Sequence, residues 1–253
     1  MMCQQMQNSD LVTIGYWLTN KTEFLLNLKI LDMEKPMLIY CYDAYCGWCY
    51  GFSKVMQKVA EAFKDKLDIE VLSGGMILPE KPVPISKTAG YIANAYKAVE
   101  ETTGIKFGQD YLWHIFNADE SDWYPNSEKP AIALCIFRDY YPDKVVEFAA
   151  ELQYALHYEG RDLTDDQAYR HLLEKYSIQP EVFYESLHSD EYKEQAYEEF
   201  GIVQQFQVTG FPTVLVQTGD SKFHMIVRGY TDEATFTQRL NEVLATSAGQ
   251  PVS

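Results

Sequence analysis

The sequence predicts an α/β protein in which a βαβ unit and a later β-hairpin are separated by a long helical stretch. Three observations carry this. Short apolar runs at residues 37–42 and 69–72 flank a segment of helical periodicity. From residue 79 to 195 the apolar residues recur at helical spacing throughout. Beyond that, residues 214–217 and 223–228 read as two strands around a turn at Gly219-Asp220.

The first element, MLIYCY at residues 37–42, is almost continuously apolar, as expected of a strand buried on both faces. Residues 47–66 follow as an amphipathic helix. Phe52, Val55, Met56, Val59, Ala60 and Phe63 line one side, and Lys54, Lys58, Glu61 and Lys64 the other. The strand at 69–72 is closed by Gly74-Gly75, and the unit's strands should be parallel. Helices are then expected at 86–101, 127–140 with Ser127 as N-cap, 142–158, 165–176, 180–187 and 191–206. After the hairpin, residues 231–245 form a closing helix capped by Thr231 or Asp232. Without residues 79–195 the chain reduces to the order of a thioredoxin fold. The predicted organisation is therefore an N-terminal extension (1–36), a thioredoxin-like domain in two pieces (37–78 and 196–250), and a helical insertion domain (79–195).

Composition narrows the function. Of 253 residues, 47% are hydrophobic and 14% aromatic, ample for a packed core. The net charge is −16, which opposes nucleic-acid and anionic-membrane partners, since both are bound through Lys and Arg. The insertion holds 22 acidic and 11 basic residues and so carries most of that charge. No apolar run approaches the roughly 20 residues of a membrane helix. Residues 1–32 lack a basic start, an apolar centre and a small-residue cleavage site, so the protein is read as cytoplasmic.

Five cysteines (Cys3, Cys41, Cys46, Cys49 and Cys135) are too few for a disulfide scaffold in a chain of this length. Only Cys46-Gly47-Trp48-Cys49 has a spacing with chemical meaning. At a strand-to-helix turn, Cys46 meets unpaired backbone N–H groups and the positive end of the helix dipole. Such settings lower thiol pKa values to about 3.5–7.5. Cys46 is then the nucleophile, and Cys49, one turn behind it, resolves the mixed disulfide. A zinc knuckle would require a second ligand pair, which the remaining cysteines and histidines do not supply; two inert buried cysteines are the plain alternative. Cys41 and Cys135 read as core residues. His114 and His157 read as core or surface residues, because thiol exchange requires no histidine. The aromatics of the insertion, including Tyr91, Tyr96, Tyr111, Trp113, Phe116, Trp123 and Tyr124, read mostly as core.

The segment Asp43-Ala44-Tyr45-Cys46-Gly47-Trp48-Cys49-Tyr50-Gly51 resembles the redox site of DsbA-like proteins, and Val208-Thr209-Gly210-Phe211-Pro212-Thr213 resembles their second active-site loop. The likeness spans about residues 37–245. It implies a cis bond before Pro212, where sequence alone favours trans. It also implies that the backbone at Phe211 pairs with a substrate strand. Gly47 stands where the family often has proline, and Tyr40 where many thioredoxin-like proteins carry a buried acid. Asp43 has two readings, proton handling near Cys49 or turn formation. Trp48 is expected to be exposed near Cys46, touching a substrate peptide or else packing on the insertion.

The expected function is thiol–disulfide exchange with protein substrates and a redox partner, without metal or cofactor. Two alternatives are an adaptor that binds partners without redox turnover, motivated by the acidic insertion, and a relative of the kappa-type glutathione transferases and isomerases. The latter characteristically carry serine where Cys46 stands.

Overall fold

The computed structural model describes residues 35–219 and 221–247. The expected extension up to residue 34, Cys3 within it, Asp220 of the hairpin turn and the residues after 247 lie outside that range.

Four strands form one mixed sheet in the order β2-β1-β3-β4: β1 (Met37–Tyr42), β2 (Asp68–Ser73), β3 (Thr213–Gly219) and β4 (Lys222–Arg228). β1 is parallel to β2, as a βαβ unit requires, and antiparallel to β3, while β3 and β4 form the expected hairpin. The central place of β1 explains its apolar run. Successive side chains point to opposite faces, so Leu38, Tyr40 and Tyr42 enter one core and Ile39 and Cys41 the other. α1 (Gly47–Phe63) covers the first face with Phe52, Met56 and Val59, and is joined there by Phe236 and Leu240 of the closing helix, Glu233–Ser247. Val203, Ile202 and Phe206, at the end of the helix Asp190–Gln205, cover the second face.

Between β2 and β3 the chain is helical: α2 (Ser86–Thr103), α3 (Gln109–Phe116), α4 (Glu128–Tyr140), α5 (Val145–His157), α6 (Arg170–Lys175), α7 (Pro180–Leu187) and α8 (Asp190–Gln205), with α9 the closing helix. Three features differ from the sequence reading. The expected helix at 142–158 begins as a 3-10 turn, Pro142–Lys144, and only then continues as α5, because Lys144 leaves helical geometry (φ −116°, ψ 13°). The segment 165–176 likewise splits into a 3-10 turn, Asp166–Tyr169, and α6. The short helix α3 went unassigned from sequence; Tyr111 and Ile115 are its two buried residues, too few to show a period.

The aromatics of the helical stretch also require correction. Tyr111 and Trp123 are buried, but Tyr91, Trp113, Phe116 and Tyr124 are exposed. Helical spacing reports one face without saying whether another element covers it. Cys41 and Cys135 are core residues as expected.

Among the described residues β2 is an edge strand, and side chains satisfy part of its outer backbone. The Arg138 guanidinium donates to the Val71 carbonyl at 2.7 Å, and the Glu199 carboxylate accepts from the Ser73 N–H at 2.8 Å. Arg138 also pairs with Glu199 at 2.7 Å and with Glu70 at 3.0 Å. Burial opposes the Arg138 charge, but the two carboxylates outweigh it and hold its pKa above the ordinary value.

Candidate active site

Cys46 occupies the N-cap position of α1 (φ −81°, ψ 109°), and its sulfur accepts the Cys49 N–H at 3.4 Å. This is the capping role usually filled by Ser or Asp. The Cys46 N–H donates to the Asp43 carbonyl at 3.1 Å, which closes the turn between β1 and α1. Cys46 is 7% exposed and Cys49 is fully buried, and both are free thiols.

The two thiols are electrostatically unequal. The Cys49 side chain, bonded to the Cys46 sulfur, lowers the Cys46 pKa; burial opposes this, and the Cys49 and Trp48 backbone N–H groups reinforce it. The net direction is downward. Burial first, and then the Cys46 sulfur, push the Cys49 pKa well above the ordinary thiol value. The surroundings therefore favour ionisation of Cys46 over Cys49. Among the described cysteines, alkylation of the folded protein with iodoacetamide should label Cys46 alone. Its rate should rise with pH through a midpoint below the ordinary value of about 8.5. Cys49 should react only after denaturation, and equal labelling of both in the folded state would contradict the asymmetry.

Facing Cys46 across the sheet end is the loop before β3. The Phe211–Pro212 bond is cis, as the family resemblance implied. The Cys46 thiol donates to the Phe211 carbonyl at 3.5 Å. The Phe211 ring lies directly over Gly74, where any side chain would run into it. The glycine pair after β2 thus makes room for Phe211 as well as ending a strand.

Trp48 is half-buried rather than exposed. Its ring lies 6.4 Å from that of Tyr230, in the loop between β4 and α9. Asp43 is buried, with both carboxylate oxygens engaged. Oδ1 accepts from the Tyr45 N–H and the Ser127 hydroxyl, each at 3.0 Å, and Oδ2 from the Met76 N–H at 2.7 Å. Burial raises its pKa, against those three hydrogen bonds.

The sequence matches the profile of the DSBA-like thioredoxin domain over residues 37–241. The chain belongs to that family. Among solved structures, it is similar to a protein disulfide isomerase candidate from Nitrosomonas europaea, with 25% identity and a TM-score of 0.74 over 84% of this chain and 99% of that one. It also shares its fold with the cytosolic disulfide reductase DsbM from Pseudomonas aeruginosa (22% identity, TM-score 0.63, 83% and 99% covered). A 2-hydroxychromene-2-carboxylate isomerase shares the fold at 14% identity (TM-score 0.58, 84% and 98% covered). No curated protein sequence matches the chain. Among the described residues, no helix is long and apolar enough to cross a membrane.

In this DSBA-like domain, several residues that shape the site were not visible as such from sequence. Ser127 stands at the N-cap position of α4 but makes no capping bond. Its hydroxyl instead donates to Asp43 and accepts from the Ile77 N–H at 3.0 Å. Gln153, buried in α5, donates to the Asp43 carbonyl at 3.3 Å. The Asp43 turn is thereby tied to the loop after β2 and to two helices, α4 and α5.

His157 is fully buried, as one of the two sequence readings held, while His114 is half-buried and stacked 3.9 Å from Trp123. The His157 ring stacks on Tyr50 at 5.0 Å, just beyond Cys49, and burial lowers its pKa to about 4. Below its unfolded value of about 6.5 the unfolded chain takes up a proton that the folded protein refuses, so stability should fall as pH drops from there to about 4. The gap corresponds to about 3 kcal/mol. His157→Phe keeps an aromatic ring there and should lose most of this slope in urea unfolding across that interval; an unchanged slope would contradict a neutral buried His157.

Proposed function

We propose that the protein is a thiol–disulfide oxidoreductase that acts on protein substrates through the Cys46/Cys49 dithiol. The observation that carries this is the inequality of the two thiols. Cys46 is acidified at a helix N-terminus beside the Phe211 carbonyl, while Cys49 is buried behind it with its proton. In the reductase direction, the Cys46 thiolate attacks a substrate disulfide and one substrate thiolate leaves. Cys49 then attacks the Cys46 sulfur, giving the Cys46–Cys49 disulfide and releasing the second substrate thiol. A thiol reductant returns the pair to the dithiol. The loop at Phe211 would pair with the substrate backbone in extended form.

The similarity to the Nitrosomonas disulfide isomerase candidate and the fold shared with cytosolic DsbM are in keeping with reduction or isomerisation in the cytoplasm, where net oxidation is disfavoured. The fold shared with the isomerase does not bring its chemistry, because Cys46 supplies a redox thiol. The test is reduction of insulin by the protein in the presence of dithiothreitol. Precipitation of the insulin B chain well ahead of the dithiothreitol control is expected, and no acceleration would overturn the assignment.

A further inference from the structure

Tyr40 is a buried phenol in the centre of β1 for which packing alone gives no account. Its ring is fixed between those of Tyr42 at 5.6 Å and Phe52 at 5.9 Å, and its backbone is paired with Val71 on one side and Val214 on the other. In the dithiol state its hydroxyl has no hydrogen-bond partner among the described residues, and Cys49, one turn before Phe52 on α1, is buried in the same core. A buried donor left without a partner costs stability, and phenylalanine would fill the same space without that cost.

We propose that the Tyr40 hydroxyl is held in reserve as the hydrogen-bond donor to the Cys49 sulfur when that sulfur becomes a thiolate in the resolving step. This rests on the dithiol reading above. In that step the Cys49 proton passes to solvent and the Cys49 sulfur attacks Cys46 Sγ. The Cys46–Cys49 bond forms as the bond from Cys46 to the substrate sulfur breaks, and the departing substrate thiolate takes up a proton from solvent.

The surroundings leave few other groups to favour the Cys49 anion. Cys46 and Asp43, both acidic, act on Cys49, as do the Tyr40 and Tyr42 phenols, and the Asp43 backbone is a further partner that lowers its pKa. Asp43 spends its carboxylate on Tyr45, Met76 and Ser127. The Tyr42 hydroxyl, beside Tyr40, is likewise without a partner among the described residues, but it faces Asp43, Glu199 and Cys135 as well as Cys49. Burial, then the two active-site sulfurs, keep the Tyr40 phenol well above its ordinary pKa, so it remains a donor throughout and never acts as a base.

In a Cys3→Ser background, the reaction of the reduced protein with 5,5′-dithiobis(2-nitrobenzoate) separates the two thiols in one measurement. Attack by Cys46 releases the first nitrothiobenzoate, and attack by Cys49 on Cys46 releases the second. Tyr40→Phe should leave the first phase unchanged within about twofold, which also certifies the fold. It should slow the second by about tenfold near neutral pH and move the pH midpoint of that phase upward. Tyr42→Phe, which removes a neighbouring buried hydroxyl, should leave both phases in place. A second phase and midpoint unmoved in Tyr40→Phe, or moved equally in Tyr42→Phe, would overturn the role of Tyr40. Absence of a second phase in the Cys3→Ser parent would instead overturn the dithiol reading, and this role with it.

Discussion

Cys46→Ser is expected to bring insulin reduction down to the rate of the thiol reductant alone. A serine hydroxyl at this N-cap would keep the local hydrogen bonds, since serine is itself a favoured cap. The fold should therefore persist while the nucleophile is lost, because only a sulfur that ionises near neutral pH can attack a disulfide. Cys49→Ser should behave differently. Cys46 remains acidified by backbone N–H groups, but the mixed disulfide then has no internal route to resolution and should accumulate as a trapped adduct. Non-reducing gels after incubation with a disulfide substrate read both outcomes. Undiminished turnover in Cys46→Ser would contradict the mechanism.

The second large effect is expected far from the thiols. Glu199→Ala should destabilise the protein by about 3–5 kcal/mol, as removal of one member of a buried ion pair typically does. Glu199 is 5% exposed, pairs with Arg138, accepts the Ser73 N–H at the edge of the sheet, and accepts a weak bond from the Cys135 thiol at 3.4 Å. Its loss leaves the Arg138 guanidinium partly uncompensated and a strand-edge donor unpaired. Replacing Arg138, Glu199 and Glu70 together by methionine should recover much of the loss, because the charges joined through Arg138 are removed as a set. Urea unfolding of the single and triple variants tests this. A change below about 1 kcal/mol in Glu199→Ala would place the pair in the class of surface ion pairs.

The fold was legible in the sequence wherever a local pattern reported a local cause. The run at residues 37–42 was apolar because β1 lies inside the sheet with both faces covered. The period of α1 appeared because one of its faces meets that sheet. Groups whose partners are distant in sequence were not legible. Ser127 reads as an N-cap until Asp43, 84 residues earlier, takes its hydroxyl. Glu199 reads as one more acid of an acidic helix until Arg138 and Ser73 are placed beside it. Trp48 reads as exposed because nothing local announces Tyr230. In the site itself, the two cysteines and Phe211-Pro212 stood out through spacing and resemblance. The support behind them, namely Gly74 under Phe211 and Gln153 and Ser127 on the Asp43 turn, came only from the three-dimensional arrangement.

The most direct test of the central claim is the redox titration of the Cys46/Cys49 pair in glutathione buffers, read by trapping and counting free thiols. The account predicts a single two-electron transition, a tenfold change in the ratio of disulfide to dithiol for each step of about 30 mV, with a midpoint between those of thioredoxin at about −270 mV and DsbA at about −120 mV. A pair that forms no disulfide anywhere across that range would contradict it.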